Sequence, residues 1–180
     1  MTSPIKAADR FRYGFKRISP DNLLEHDDDP SYPSRLRKAK WVQACLKPQL
    51  EPSVPDEIFF LFEAARGTMV YGMFFLPVAT LAAEQCFRVL EAAARQRCKQ
   101  LGLLKKKPGK EKLLPDVFFA EVLAKLRQAG KIHDSDIAAW ETMPFLRNSA
   151  SHPKSQSIWS RDTAAGQLAY TSELLNRLFK

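Results

Sequence analysis

With 180 residues, 45% of them hydrophobic and 27% charged, the chain has material for one globular domain with a real core and little left for a second. Twenty-eight Lys and Arg against 20 Asp and Glu give a formal charge of +8 and a pI near 9.5, which points to an anionic partner, nucleic acid first. Three cysteines, odd in number and without a C-x-x-C pair, exclude a disulfide scaffold and read as reduced, mostly buried thiols of a cytoplasmic protein.

Residues 1–33 carry Pro4, Pro20, Pro30 and Pro33, the acidic run Asp27 to Asp29 and no sustained hydrophobic period, so they read as an extended arm. The stretch is charged from Lys6 onward and holds no apolar core of the kind an export signal needs. The domain is expected over 34–180. From Ser34, "SRLRKAKWVQACLK" is helical in pattern and Pro48 ends it. "DEIFFLFEAARG" opens on two acids and is expected to close at Gly67.

The longest helical signal follows, over 68–101, with a kink expected at Pro77. Its most apolar part, residues 69–83, is shorter than the roughly 20 residues of a membrane span and runs straight into Glu84, so it reads as a buried core helix. Beyond it, Glu84, Arg88, Glu91 and Arg95 form a charged stripe with two i,i+4 pairs. On the opposite side Ala82, Cys86, Val89 and Ala93 form a small, oily face that lets another helix approach closely.

"LGLLKKKPGKEKLL" is a basic loop, in which Lys105, Lys106, Lys107, Lys110 and Lys112 are candidate phosphate contacts or a solvated connection. "PDVFFAEVLAKLRQAG" is a compact helix with Pro115 near its start and Gly130 as its stop. A helix capped by Asp134 or Ser135 then runs through Trp140 towards Leu146, with Pro144 as an internal disturbance, and a last one, capped by Asp162, covers 163–179. No segment alternates like a strand. The fold class is therefore all-α, an antiparallel bundle of four to five main helices.

One short stretch carries possible chemistry: "FLRNSASHP", residues 145–153. Arg147 offers a planar, permanent cation that fits phosphate oxygens, and His152 can exchange a proton near neutrality. Together the two suffice for metal-independent RNA cleavage, the imidazole taking the ribose 2′-hydroxyl proton and the guanidinium stabilising the charged transition state. Asn148, four residues before His152, could orient the ring if the helix continues. The spacing alone is weak, because Arg127 and His133 satisfy the same rule across a helix stop at Gly130 and read as solvated. A basic helix end favoured by the helix dipole accounts for Arg147 and His152 equally well on local features.

"LRNSASHP", together with the long segment "YGMFFLPVATLAAEQCFRVLEAAARQRC", resembles the HEPN superfamily (higher eukaryotes and prokaryotes nucleotide-binding), whose Arg, polar residue and His precede the final helix. The resemblance covers about residues 68–179. It implies a four- to five-helix bundle that usually dimerises around a shared cleft, often as a metal-independent endoribonuclease of toxin or defence systems. By position, Arg147 would hold the scissile phosphate, Asn148 would orient the site, and His152 would act as acid or base. Glu84 is a further candidate, as a partner of Arg147 across the bundle or of Arg88 within its own helix. Expected partners are RNA and a second copy, with a regulatory protein as a further candidate. No metal or cofactor is expected, since His26, His133 and His152 lack paired spacing. The alternative is a non-catalytic nucleic-acid or nucleotide-binding and assembly module, for which the small-residue face of 82–93 would be the contact.

Overall fold

A computed structural model describes Asp21, residues 35–103, 118–150 and 159–180, with the backbone alone for 35–38 and 143–150. Among the described residues it contains six helices and no strand: α1 (Arg35–Leu46), α2 (Asp56–Tyr71), α3 (Leu76–Gln100), α4 (Phe119–Gln128), α5 (Asp134–Ala150) and α6 (Arg161–Leu178). The all-helical expectation holds. Apart from Asp21, the arm expected over 1–33 lies outside the described residues. No helix among the described residues is long and apolar enough to cross a membrane.

The 69–83 stretch is divided between two helices. α2 does not stop at Gly67 but continues to Tyr71, and the chain turns over Gly72 to Phe75 before α3 begins. Pro77 therefore opens α3 instead of kinking it, because in the first turn its missing N–H breaks no helical hydrogen bond. Gly72 makes the turn possible. A Cβ there would lie 2.7 Å from the Ala79 Cβ and 3.0 Å from the Met69 carbonyl oxygen, whereas at Gly67 nothing lies within 4 Å. The two glycines should thus respond oppositely to alanine. In urea unfolding followed by circular dichroism, Gly67→Ala is expected to stabilise the chain by about 1 kcal/mol through helix propensity. Gly72→Ala is expected to destabilise it by about 1–3 kcal/mol through overpacking, since the opposing atom is anchored directly to a helix backbone. Shifts of the same sign would contradict this account.

Two other boundaries differ from expectation. α4 starts at Phe119, later than Pro115 suggested, after an extended Phe118 that supplies no side-chain cap. Ser160, not Asp162, caps α6. Its hydroxyl accepts the Thr163 N–H at 3.2 Å, while Asp162 sits in the first turn, where a negative charge suits the helix dipole. Gly130 ends α4 as expected, at φ 67°, with the Lys131 N–H returning to the Leu126 carbonyl at 2.8 Å.

α3 is the centre of the bundle and packs against α2, α4, α5 and α6. Its small face, Ala82, Cys86, Val89 and Ala93, is fully buried, and the Cys86 thiol meets the Thr171 hydroxyl of α6. That face is consumed inside the chain, which removes it as a contact for an assembly partner. Cys45, Cys86 and Cys98 are free and buried; burial pushes their thiols up to about 12, 12 and 11, so none is a thiolate nucleophile near neutrality.

Long-range contacts fix which ends lie together. At one end of the bundle, Arg97 lies over the Phe179 ring, 5.6 Å from its centroid. There Asn176 also clamps the chain before α2, accepting the Glu51 N–H at 2.8 Å and donating to the Gln49 carbonyl at 2.9 Å. At the other end the Trp159 N–H donates to Thr80 Oγ1 at 3.0 Å, and its ring stands edge-on to Phe87 with centroids 6.2 Å apart. α3 and α6 therefore run in the same direction. α1 runs against α2, since Trp41 Nε1 donates to the Val70 carbonyl at 3.3 Å and Arg66 donates to the Pro48 carbonyl at 3.2 Å.

Candidate functional site

The backbone of α5 is helical past Pro144 as far as Ala150, so Arg147 and Asn148 both belong to its last turns. His152 lies two residues beyond, outside the described residues, as do Lys105, Lys106, Lys107, Lys110 and Lys112. α5 is anchored by Trp140, which is 2% exposed. Position 147 follows it by seven residues, two turns and about 20° away at 100° per residue, so it occupies nearly the same angular register as the buried side of the helix.

The level of position 147 along the bundle follows from α5's starting point. Asp136 Oδ2 accepts from Arg177 Nε at 2.9 Å, so α5 begins where α6 ends and runs back along α3. Eleven residues of helix carry it roughly 16 Å, to the neighbourhood of the α3 turn that holds Glu84. Glu84 itself sits between Thr80 and Phe87 on one side of α3, the side that receives Trp159. The chain thus leaves α5 after Ala150 and re-enters described structure at Trp159 against that same side of α3. Thr80 and Trp159 were not singled out from the sequence; their only signal was a lone aliphatic hydroxyl in the 69–83 apolar run and an indole within a polar stretch.

Glu84 is half-buried, and its carboxyl is held above its ordinary value of 4.5 by burial, with partial opposition from the neighbouring Arg88 charge. A carboxyl whose pKa rises on folding binds its proton more tightly in the folded chain. The Glu84 contribution to folding stability is then greatest below 4.5 and declines as pH rises through the raised value. Glu84→Gln should accordingly be more stable relative to wild type at pH 7 than at pH 4, as read by thermal unfolding at the two pH values. A constant difference would show that Glu84 titrates normally. Further along the same helix, the expected pairing of Glu91 and Arg95 is present at 2.9 Å.

The second Arg and His pair is dispersed, as the sequence suggested. Arg127 donates from Nε and Nη2 to Asp134 Oδ1, each at 2.9 Å, and the exposed His133 ring meets Ser135 Oγ at 3.2 Å. Arg127 and Asp134 stand at the rim of a groove of about 830 Å³ between α4 and α5, floored by Phe119, Leu123 and Ile137. Its arginine already has its carboxylate, and its histidine is not among the lining residues. Among the described residues no three His, Cys, Asp or Glu side chains converge as a metal site would require.

No protein-family model, curated protein or solved structure matches this chain.

Proposed function

We propose that this chain is a metal-independent endoribonuclease of HEPN type, with Arg147, Asn148 and His152 as its catalytic set. The observation that supports this most is the register of α5, whose helix continues to the motif and keeps position 147 in line with buried Trp140, near the level of Glu84. In this reading His152 removes the ribose 2′-hydroxyl proton, and the freed oxygen attacks the adjacent phosphorus. Arg147 stabilises the charge on the phosphorane-like transition state, Asn148 orients the imidazole, and the 5′-oxygen departs taking a proton from water, the imidazolium later returning its own proton to solvent. Glu84 is, in this reading, a supporting carboxylate that partners Arg147. Lys105, Lys106, Lys107, Lys110 and Lys112 add phosphate contacts, two copies share the cleft, and a toxin or defence role suits a general RNA-cutting activity.

The test is incubation of the purified chain with single-stranded RNA in EDTA, alongside His152→Ala and Arg147→Ala. Cleavage by the wild type that both variants lose supports the reading. Equal cleavage by all three, or none by the wild type, overturns it.

A further inference from the structure

We infer that the outward side of α2 is a self-association face, on which a second copy of this chain packs its own α2 antiparallel about a twofold axis near Ala64. At 100° per residue, Phe60, Ala64, Gly67 and Tyr71 fall within about 60° of one another around α2, opposite the buried Ile58, Phe62, Ala65 and Met69. That is the side on which a surface helix normally carries charge. Here it carries two rings, Phe60 at 69% and Tyr71 at 65% exposure, with Phe59 edge-on to Phe60 at 6.1 Å between centroids. α1, α3 and α6 all pack on α2 and leave these residues uncovered.

The face is complementary to itself, which selects a second copy over a foreign partner. A side chain that enters a neighbouring helix seats in a hole formed by four residues. Ala64, Gly67, Thr68 and Tyr71, spaced i, i+3, i+4 and i+7, form such a hole, exposed throughout and small at three of its four corners. Its centre lies between 67 and 68, about 11 Å along the helix from Phe60. A twofold axis midway between them, near Ala64, puts Phe60 of each copy into the hole of the other. The same axis sets Tyr71 of one copy level with the first turn of the other, where Asp56 and Glu57 are exposed, so each phenol O–H can donate to a carboxylate.

Gly67 supports the pairing independently. A glycine inside a helix costs about 1 kcal/mol relative to alanine. Nothing in the chain lies within 4 Å of a Cβ there, so no contact within the chain requires it. In the pair it is the floor of the hole that receives the ring. The area also suffices. Phe59, Phe60 and Tyr71 expose about 350 Å² per copy, at about 200 Å² for an aromatic side chain. Two copies thus supply about 700 Å² of the roughly 1,000 Å² of apolar surface in a homodimer interface of standard size, and Leu61, Ala64 and the Thr68 methyl group add to it. The contact is separate from the proposed cleavage site and does not rest on it: Ala79, which faces Gly72 at the turn from α2, and Glu84 are about 140° apart around α3.

The experiment is sedimentation equilibrium of the full chain over a concentration series. The wild type should associate in the micromolar range or tighter. Phe60→Ala, which removes two anchoring rings from each pair, should weaken the association about 1,000-fold. Gly67→Leu should also weaken it, by filling the hole, while thermal unfolding of the dilute chain shows a fold no less stable than wild type, since leucine is the better helix former. Phe118→Ala, which removes an exposed ring at the start of α4, should leave the association unchanged. On oxidation Ala64→Cys, beside the axis, should form an intermolecular disulfide, and Lys99→Cys, exposed near the end of α3, should not; the native cysteines are buried. If two copies also share the cleft, the wild type is a tetramer and Phe60→Ala halves it. A monomeric wild type overturns the face, including the case in which residues 1–33 or a different protein cover α2. So does an assembly whose size survives both Phe60→Ala and Gly67→Leu, an equal loss in Phe118→Ala, or a failure of Ala64→Cys to cross-link. None of these outcomes bears on whether Arg147 and His152 cleave RNA, so either reading can fail alone.

Discussion

His152→Ala is expected to slow RNA cleavage by about 100- to 10,000-fold, the range for removal of a positioned general base. The effect should fall on the chemical step, so single-turnover rates should drop while affinity for RNA changes little. Arg147→Lys separates charge from shape: it keeps the cation but loses the planar fork, and should retain part of the rate that Arg147→Gln loses. Attack by the 2′-hydroxyl also fixes the products, a 2′,3′-cyclic phosphate on one fragment and a free 5′-hydroxyl on the other. A single 2′-deoxy nucleotide at the cut position should block that cut. Cleavage at the deoxy position, or 5′-phosphate ends, would place the nucleophile elsewhere and sink the assignment of His152.

Trp140→Ala is expected to cost about 3–5 kcal/mol, the largest stability effect predicted for this chain. Two other links hold the start of α5. The Asp136–Arg177 pair has an arginine that is 43% exposed, and Arg127–Asp134 is more open still, so each contributes little. The indole, buried almost completely, is the largest buried side chain of α5 among the described residues. Denaturation in guanidinium chloride should show the loss as a lowered midpoint. Trp140→Phe, which refills much of the volume, should recover a large part of it. Because position 147 takes its register from the same helix, Trp140→Ala should also reduce cleavage at temperatures where the chain remains folded. A midpoint equal to wild type would mean that α5 is held by something other than Trp140.

The parts of the fold legible in the sequence are those where one residue has one physical meaning. Gly130 ended a helix because left-handed backbone favours glycine, Pro48 lay beyond α1 because it cannot continue a helix, and Leu168, Leu175 and Leu178 faced inward at helical spacing. Residues with two meanings were misplaced. Proline kinks a helix from within or opens it from the first turn, and nothing near Pro77 decides between these until Gly72 is seen against Ala79, a contact across the turn. Ser160 and Asp162 are both competent caps, separated only by the path the chain takes into α6. The small face of α3 was readable as a helix contact, but not that α6 of the same chain fills it. At the candidate site, the sequence supplied the residue types and the spacing. The register of α5 against Trp140, and the return of Trp159 to the side of α3 that carries Glu84, depend on contacts between residues far apart in sequence.

The union of α3 with α6 also has a consequence during synthesis. Cys86 meets Thr171, 85 positions later, and at about 5–20 residues per second a ribosome takes about 4–17 seconds to cover that distance. Throughout that interval Cys86 lacks its α6 neighbour, while α2 can already fold back on α3 through the turn at Gly72. The part of the core that α6 completes therefore closes seconds after α3 is made, when the last helix arrives.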